Sequence, residues 1–236
     1  MNLTNKTALV TGANGGLGLA IVKALLNNNI EKIYCGVRDL QNAKVLENLS
    51  DKIELLQLDL SDHTMLETNL ASIEKLDLLI NNAGVNSGKT IFEDCYTDFT
   101  INVQGTLKIT QLLADKINEN GAIVNITSIL ALCNFPLMGF YSASKSALHS
   151  LTQALRAHMN SKKVTVLEVL PGPIDTKMTP DEGMPKASPE SIAQEIILAL
   201  AADQDEIYPD EFAKMIKEGL THDPKSVEQQ FAQYLG

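Results

Sequence analysis

Tyr141 and Lys145 stand four residues apart in YSASK, a spacing that puts both side chains on one face of a helix. A phenol with a pKa of about 10 exchanges protons poorly at neutral pH unless a neighbouring ammonium stabilises its phenolate. Lys145 could supply that charge. Taken alone, the pair equally suits an exposed helical surface. Ser128 lies thirteen residues before the tyrosine. Its hydroxyl could hold a reacting oxygen beside the phenol, or could simply satisfy the end of a strand.

A second stretch, TGANGGLG from Thr11 to Gly18, could bind phosphate. Gly12, Gly16 and Gly18 bracket a turn that Asn14, Gly15 and Leu17 complete. Glycine lets the backbone approach a pyrophosphate, and a following helix offers free N–H groups and a positive dipole end. The GxxxGxG spacing departs from the dinucleotide fingerprint. By itself the stretch fits a phosphate cradle or a tight bend between strand and helix.

Such chemistry needs elements that bring these residues together, and the chain alternates strand-like with helix-like segments. Strands are expected at 6–11, 32–37, 53–60, 76–84, 122–128 and 163–172, with a short seventh at 205–209. A helix follows the glycine turn, with Leu17, Ile21, Ala24 and Leu25 on one face, and Asn27–Asn29 stop it. Further helices are expected at 42–48, 62–72, 97–118, 142–159 and 188–202. In the 97–118 helix Phe99, Val103, Leu107, Thr110, Leu113 and Ile117 share a face. Ser188 followed by Pro189 marks the start of the last of these, and a polar helical tail occupies about 209–236. The alternation implies a doubly wound, Rossmann-type parallel α/β sheet in a single domain over 1–236. The polar clusters then fall at its carboxyl edge, where such sheets bind ligands. Residues 171–189 hold five prolines and read as a flap, centred on 173–188.

The chain of 236 residues carries a net charge of −10, which argues against nucleic acid and anionic membranes as partners. Cys35, Cys95 and Cys133 form no CxxC, which predicts reduced thiols and a cytoplasmic location. No signal peptide or membrane span is expected. His63, His149, His158 and His222 show no metal-ligand spacing or acidic clustering, so no metal is expected.

Together TGANGGLG, Asp59, NNAG (81–84), Asn102 in INVQG, Ser128, YSASK and PGPIDT (171–176) resemble the short-chain dehydrogenase/reductase family over roughly residues 5–208. The likeness is to its NADP-preferring, carbonyl-reductase-like members. The resemblance implies strand order 3-2-1-4-5-6-7 and NAD(P)(H)-dependent interconversion of a carbonyl and an alcohol. It implies Tyr141 as general acid/base, with Lys145 supporting it and bonding the nicotinamide ribose. Ser128 would orient the substrate, and Asn102 would carry a water in a proton relay. The cofactor would lie along the glycine turn, with Asp59 and Leu60 at the adenine and Asn82, Ala83 and Gly84 at the adenosine. Pro171, Gly172, Ile174 and Thr176 would cover the nicotinamide. Val37 stands where NAD-preferring members carry Asp, and Arg38 can pair bidentately with a 2′-phosphate. NADPH/NADP+ is therefore expected over NADH/NAD+, although an inward Asp39 would blur that preference.

The substrate pocket is expected between 86–95, 130–140 and the flap. Phe135, Leu137, Met138 and Phe140 make it apolar, so an apolar aldehyde or ketone is the expected small-molecule partner. A homodimer or homotetramer is expected, a dimer meeting through helices 97–118 and 142–160. The competing reading is a non-catalytic NADP(H)-binding sensor or scaffold. Its usual sign, a missing Tyr or Lys, is not met here.

Overall fold

The computed structural model of the chain describes residues 1–179 and 185–235. Short apolar runs build a sheet of seven strands: β1 (Thr7–Thr11), β2 (Lys32–Val37), β3 (Ile53–Gln57), β4 (Leu76–Asn81), β5 (Ile117–Ile126), β6 (Thr165–Val169) and β7 (Glu206–Ile207). Their spatial order is 3-2-1-4-5-6-7, and every pairing is parallel. All six residues of β4 are buried, as a strand covered on both faces requires.

Helices α1 (Gly16–Asn27) and α6 (Pro189–Ala201) cover one face, packing Ile21, Leu25, Ile196 and Leu200 onto Val10, Ile80 and Val124. On the other face α3 (His63–Asn69), α4 (Thr106–Leu113) and α5 (Gly139–Met159) bury Leu66, Ile109, Leu113 and Met159 against Leu9, Leu79 and Ile123. A single turn, α2 (Lys44–Glu47), follows β2. Ser188 caps α6 by accepting from Ser191 N–H, as its sequence predicts.

The expected helix over 97–118 divides. Phe99–Gly105 is π-helical, α4 ends at Leu113, and Ile117 opens β5 opposite Leu76. Ile117 follows Leu113 by a helical i+4 step, but strand pairing prevails: Leu76 N–H donates to Lys116 O at 3.0 Å. Both residues still enter the same core, so the periodicity located the burial and misread the element. β3 and β6 are shorter than expected, which leaves Asp59, Pro171 and Gly172 in the turns beyond them.

The tail is not a solvated appendage. It forms α7 (Glu211–His222) and α8 (Pro224–Ala232), which bury Ala213, Ile216, Val227 and Phe231 against Ile129, Cys133 and Phe135. Phe135 and Phe231 meet edge to face at 5.8 Å. Asp210 caps α7 through Ala213 N–H at 2.9 Å, and its other oxygen accepts from Gly172 N–H at 2.8 Å. One carboxylate thus ties the C-terminal helices to the turn after β6. All three cysteines are buried and free. Among the described residues no helix is long and apolar enough to cross a membrane.

Candidate active site

The turns after β1 and β4 are laced together. Thr11 Oγ1 accepts from Asn82 N–H and Ala83 N–H at 3.0 and 2.9 Å. The Asn82 amide donates to Thr11 O and Gly12 O at 2.8 and 3.2 Å. Gly12 takes φ +63°, where L side chains are strained. A Cβ on Gly18 would lie 2.1 Å from Gly12 O, and one on Gly16 would lie 2.7 Å from Thr176 Cγ2. Gly15 and Gly16 are exposed, Gly15 brings no capping side chain, and the first turn of α1 holds no acidic residue. The first N–H groups of a helix lack intrahelical acceptors, so this end suits a phosphate on geometric and electrostatic grounds. Leu17 is buried beneath the turn, and Asn14 donates to Asn42 O at its rim.

Arg38 is exposed just past β2 and, among the described residues, has no ion-pair partner. Asp39 is occupied within its own turn, accepting from Gln41 N–H at 2.9 Å and Asn42 Nδ2 at 2.6 Å. Asp59 accepts from Ser61 Oγ and Ser61 N–H at 2.6 and 2.9 Å. Those bonds, with a smaller contribution from the Arg38 charge, hold its carboxyl below the usual carboxylate range. Leu60 is buried against Gly105, where a Cβ would approach Leu60 O to 2.4 Å.

Tyr141 and Lys145 lie in the first turns of α5, facing the ends of β4 and β5. Lys145 is buried; its Nζ donates to Ile126 O at 2.9 Å and lies 5.7 Å from the centre of the Tyr141 ring. Burial brings the ammonium down to about 8, against the opposing charges of Glu168 and Asp98. Burial also pushes the Tyr141 phenol up to about 12, with Ser128 pulling the other way and Asp98 adding to the rise. Ser128 Oγ accepts from Leu130 N–H at 3.1 Å and lies 3.5 Å from Pro171 O.

Asn102 sits at the middle of the π-helical turn, fully buried. Its Oδ1 accepts from Val85 N–H at 2.8 Å, and its Nδ2 donates to Val85 O and Ser144 Oγ, each at 2.9 Å. Both amide donors are therefore used on protein oxygens, clamping the Gly84–Val85 segment to α5. Gly84 lies against Asn102 Oδ1 and Lys145 Nζ, 3.2 and 3.5 Å from where a Cβ would stand.

Ser128 and Tyr141 open on a cavity of about 100 Å³ whose other walls include Asn86, Ile129, Leu130, Phe135, Met138 and Gly172. Met178 and Thr179 of the expected flap also line it; residues 180–184 lie outside the described residues. Leu137 and Phe140 do not line it; Leu137 packs into the core under α7 and α8. Ile174 bridges to Ala187 in the segment beyond Gly172.

Several participants escaped the sequence reading. Thr11 is the hinge of the β1–β4 lacing. Asp98 is fully buried and accepts from Ser87 N–H at 3.2 Å. Phe212 and Phe231 wall the cavity from α7 and α8. The i+4 pairs Phe212–Ile216 and Val227–Phe231 carried that signal in the tail. Among the histidines, His149 does meet acidic groups: its Nδ1 lies 2.9 Å from Glu168.

A family model described as short chain dehydrogenase matches residues 6–186. The chain is 31% identical to an uncharacterized oxidoreductase of Staphylococcus saprophyticus over 85% of this chain and 93% of that one. It is 32% identical to the 3-oxoacyl-(acyl-carrier-protein) reductase of Rickettsia bellii, over 76% of this chain and 77% of that one. A short chain dehydrogenase of Burkholderia cenocepacia, solved in complex with NADP, superposes with a TM-score of 0.91 at 31% identity, covering 98% of this chain and 99% of the other.

Proposed function

The chain belongs to the short chain dehydrogenase family, and we propose that it is an NADP(H)-preferring oxidoreductase interconverting an apolar aldehyde or ketone with its alcohol. The observation that carries this reading is the placing of two hydroxyls, Ser128 and Tyr141, on an otherwise mainly apolar cavity beside a buried lysine. The glycine turn fits a dinucleotide, because exposed Gly15 and Gly16 leave the uncapped start of α1 open to a phosphate.

When bound, the nicotinamide supplies or accepts the hydride. Ser128 Oγ holds the substrate oxygen; its 3.5 Å approach to Pro171 O is long and readily exchanged. Tyr141 delivers its proton to that oxygen as alkoxide character develops. The Lys145 ammonium, anchored on Ile126 O, stabilises the phenolate left behind. The apolar walls exclude water and strengthen both interactions. A spectrophotometric screen of NADPH oxidation against carbonyl compounds tests the proposal; turnover confined to sugars or polyols would refute the apolar assignment.

Two expectations follow from charges at the site. With Asp39 held in its own turn, Arg38, unpaired among the described residues, can meet a 2′-phosphate. Replacing a charge-assisted pair by a like charge is worth about 3 kcal/mol. Arg38→Asp should thus move the NADPH-to-NADH ratio of kcat/KM by about 100-fold toward NADH. An unchanged ratio would mean that the phosphate is read elsewhere. The pH profile follows from Lys145. Its ammonium is lost as pH rises through about 8, while the phenol stays protonated to about 12. Carbonyl reduction should fall about tenfold in kcat/KM per pH unit above about 8. A flat profile to the alkaline limit of stability would contradict the lysine's role.

A further inference from the structure

One helical turn beyond Lys145, α5 carries His149, whose Nδ1 lies 3.0 and 2.9 Å from the two oxygens of Glu168. Glu168 stands on β6 with a side chain that has no solvent exposure. It pairs in register with Glu206 of β7, so two carboxylates lie side by side on adjacent strands. Ligand atoms of the three residues all fall within 4.8 Å of one another. Like charges opposite each other on neighbouring strands repel, and a buried carboxylate is costly unless its charge is met. Among the described residues, no lysine or arginine forms an ion pair with either glutamate. Arg156, two turns further along α5, bonds the backbone carbonyls of Val166 and Asp205 instead. Among the described residues, one imidazole is thus the basic group paired with Glu168 and placed beside Glu206.

Each of the three side chains is also held from behind. Thr127 Oγ1 donates to Glu168 Oε1 at 2.8 Å, and the Tyr208 hydroxyl donates to Glu206 Oε1 at 2.5 Å. The Gln153 side chain sets its amide nitrogen 3.1 Å from His149 Nε2. With that amide turned so that its oxygen accepts from Nε2–H, Nδ1 presents a lone pair to the carboxylates. Outer partners that fix the tautomer and aim the carboxylates are the support that metal ligands require. One imidazole with two carboxylates suits a divalent first-row transition metal better than magnesium, which prefers oxygen and retains its water.

We propose that His149, Glu168 and Glu206 form a binding site for a divalent transition-metal ion of the zinc class, with a fourth position open to water. The ion would cross-link the two-residue strand β7 to β6 and to α5, on the same helix that carries Tyr141 and Lys145. Glu206 is partly exposed, which gives the ion an entry path.

The test is calorimetric titration of the untagged, chelator-stripped full chain with zinc chloride, and with magnesium chloride in parallel. One zinc per chain with a micromolar or tighter Kd is expected, with no saturable magnesium binding. At 100-fold excess over Kd, the Tm should rise by about 5–10 °C. His149→Gln and Glu206→Gln should each weaken zinc binding about tenfold or more, with far-UV circular dichroism confirming the fold. Absence of saturable zinc binding by the folded wild-type chain would overturn the site. So would unchanged affinity in both folded variants, which would place the ion elsewhere on the acidic surface.

Discussion

Tyr141→Phe is expected to reduce turnover about 1,000-fold while leaving NADPH affinity within about twofold. The substitution removes one oxygen and keeps the ring, so the contact with Lys145 Nζ at 5.7 Å and the cavity wall persist. Ser128 would still hold the substrate oxygen. What disappears is the proton donor, the cavity hydroxyl whose ring lies 5.7 Å from the buried Lys145 ammonium. Steady-state kinetics with a carbonyl substrate from the screen, alongside fluorescence titration with NADPH, separates the two effects. Turnover within threefold of wild type would remove the tyrosine from the chemistry. Loss of NADPH binding in parallel would instead assign it to holding the nucleotide.

Gly18→Ala should be nearly as damaging, through a different property. The added Cβ would stand 2.1 Å from Gly12 O, a backbone atom with little room to retreat. That oxygen accepts from Gly15 N–H at 3.0 Å and from the Asn82 amide, and Gly12 itself holds a left-handed conformation. Relief requires opening the β1 turn and breaking its lacing to β4. Strain of this kind is worth about 3 kcal/mol. The Tm should fall by about 6–12 °C, and NADPH affinity by about 100-fold or more, because the cradle and the fold share the same atoms. Thermal melting and nucleotide titration check both numbers. A variant that melts and binds like wild type would show that the turn is not held as tightly as its contacts imply.

Much of this site was legible in the sequence because its signals are local. YSASK places two side chains on one face by spacing alone, and TGANGGLG advertises close backbone approach by its lack of side chains. Strand–helix alternation then put both at one sheet edge. The buried partners were not legible, because they depend on pairs distant in sequence. Asp98 reads as an ordinary acidic residue in the first turn of the helix expected over 97–118, and only the fold buries it. Nothing near His149 in sequence announces Glu168, nineteen residues on, or Glu206 on the next strand. The π-helical turn was hidden because its apolar residues keep the spacing of an α-helix. Phe212 and Phe231 keep helical spacing to Ile216 and Val227, but the charge around them makes the tail read only as polar.

That π-helical turn bears on how this chain can tolerate changes in length. A π turn holds one residue more than the α turn it replaces, and each residue advances a helix by about 100°. A single deletion between Phe99 and Gly105 can be absorbed by return to an α turn, but a single insertion would rotate one flank against the other by about that angle. Either Asn102 would swing away from Val85 and Ser144, or Ile109 and Leu113 of α4 would turn out of their core. The exposed Gln104 can be exchanged for another residue, but the count of residues cannot grow. Lineages descending from this chain should show almost no insertions here, a constraint of helical phase that is separate from any demand of the chemistry.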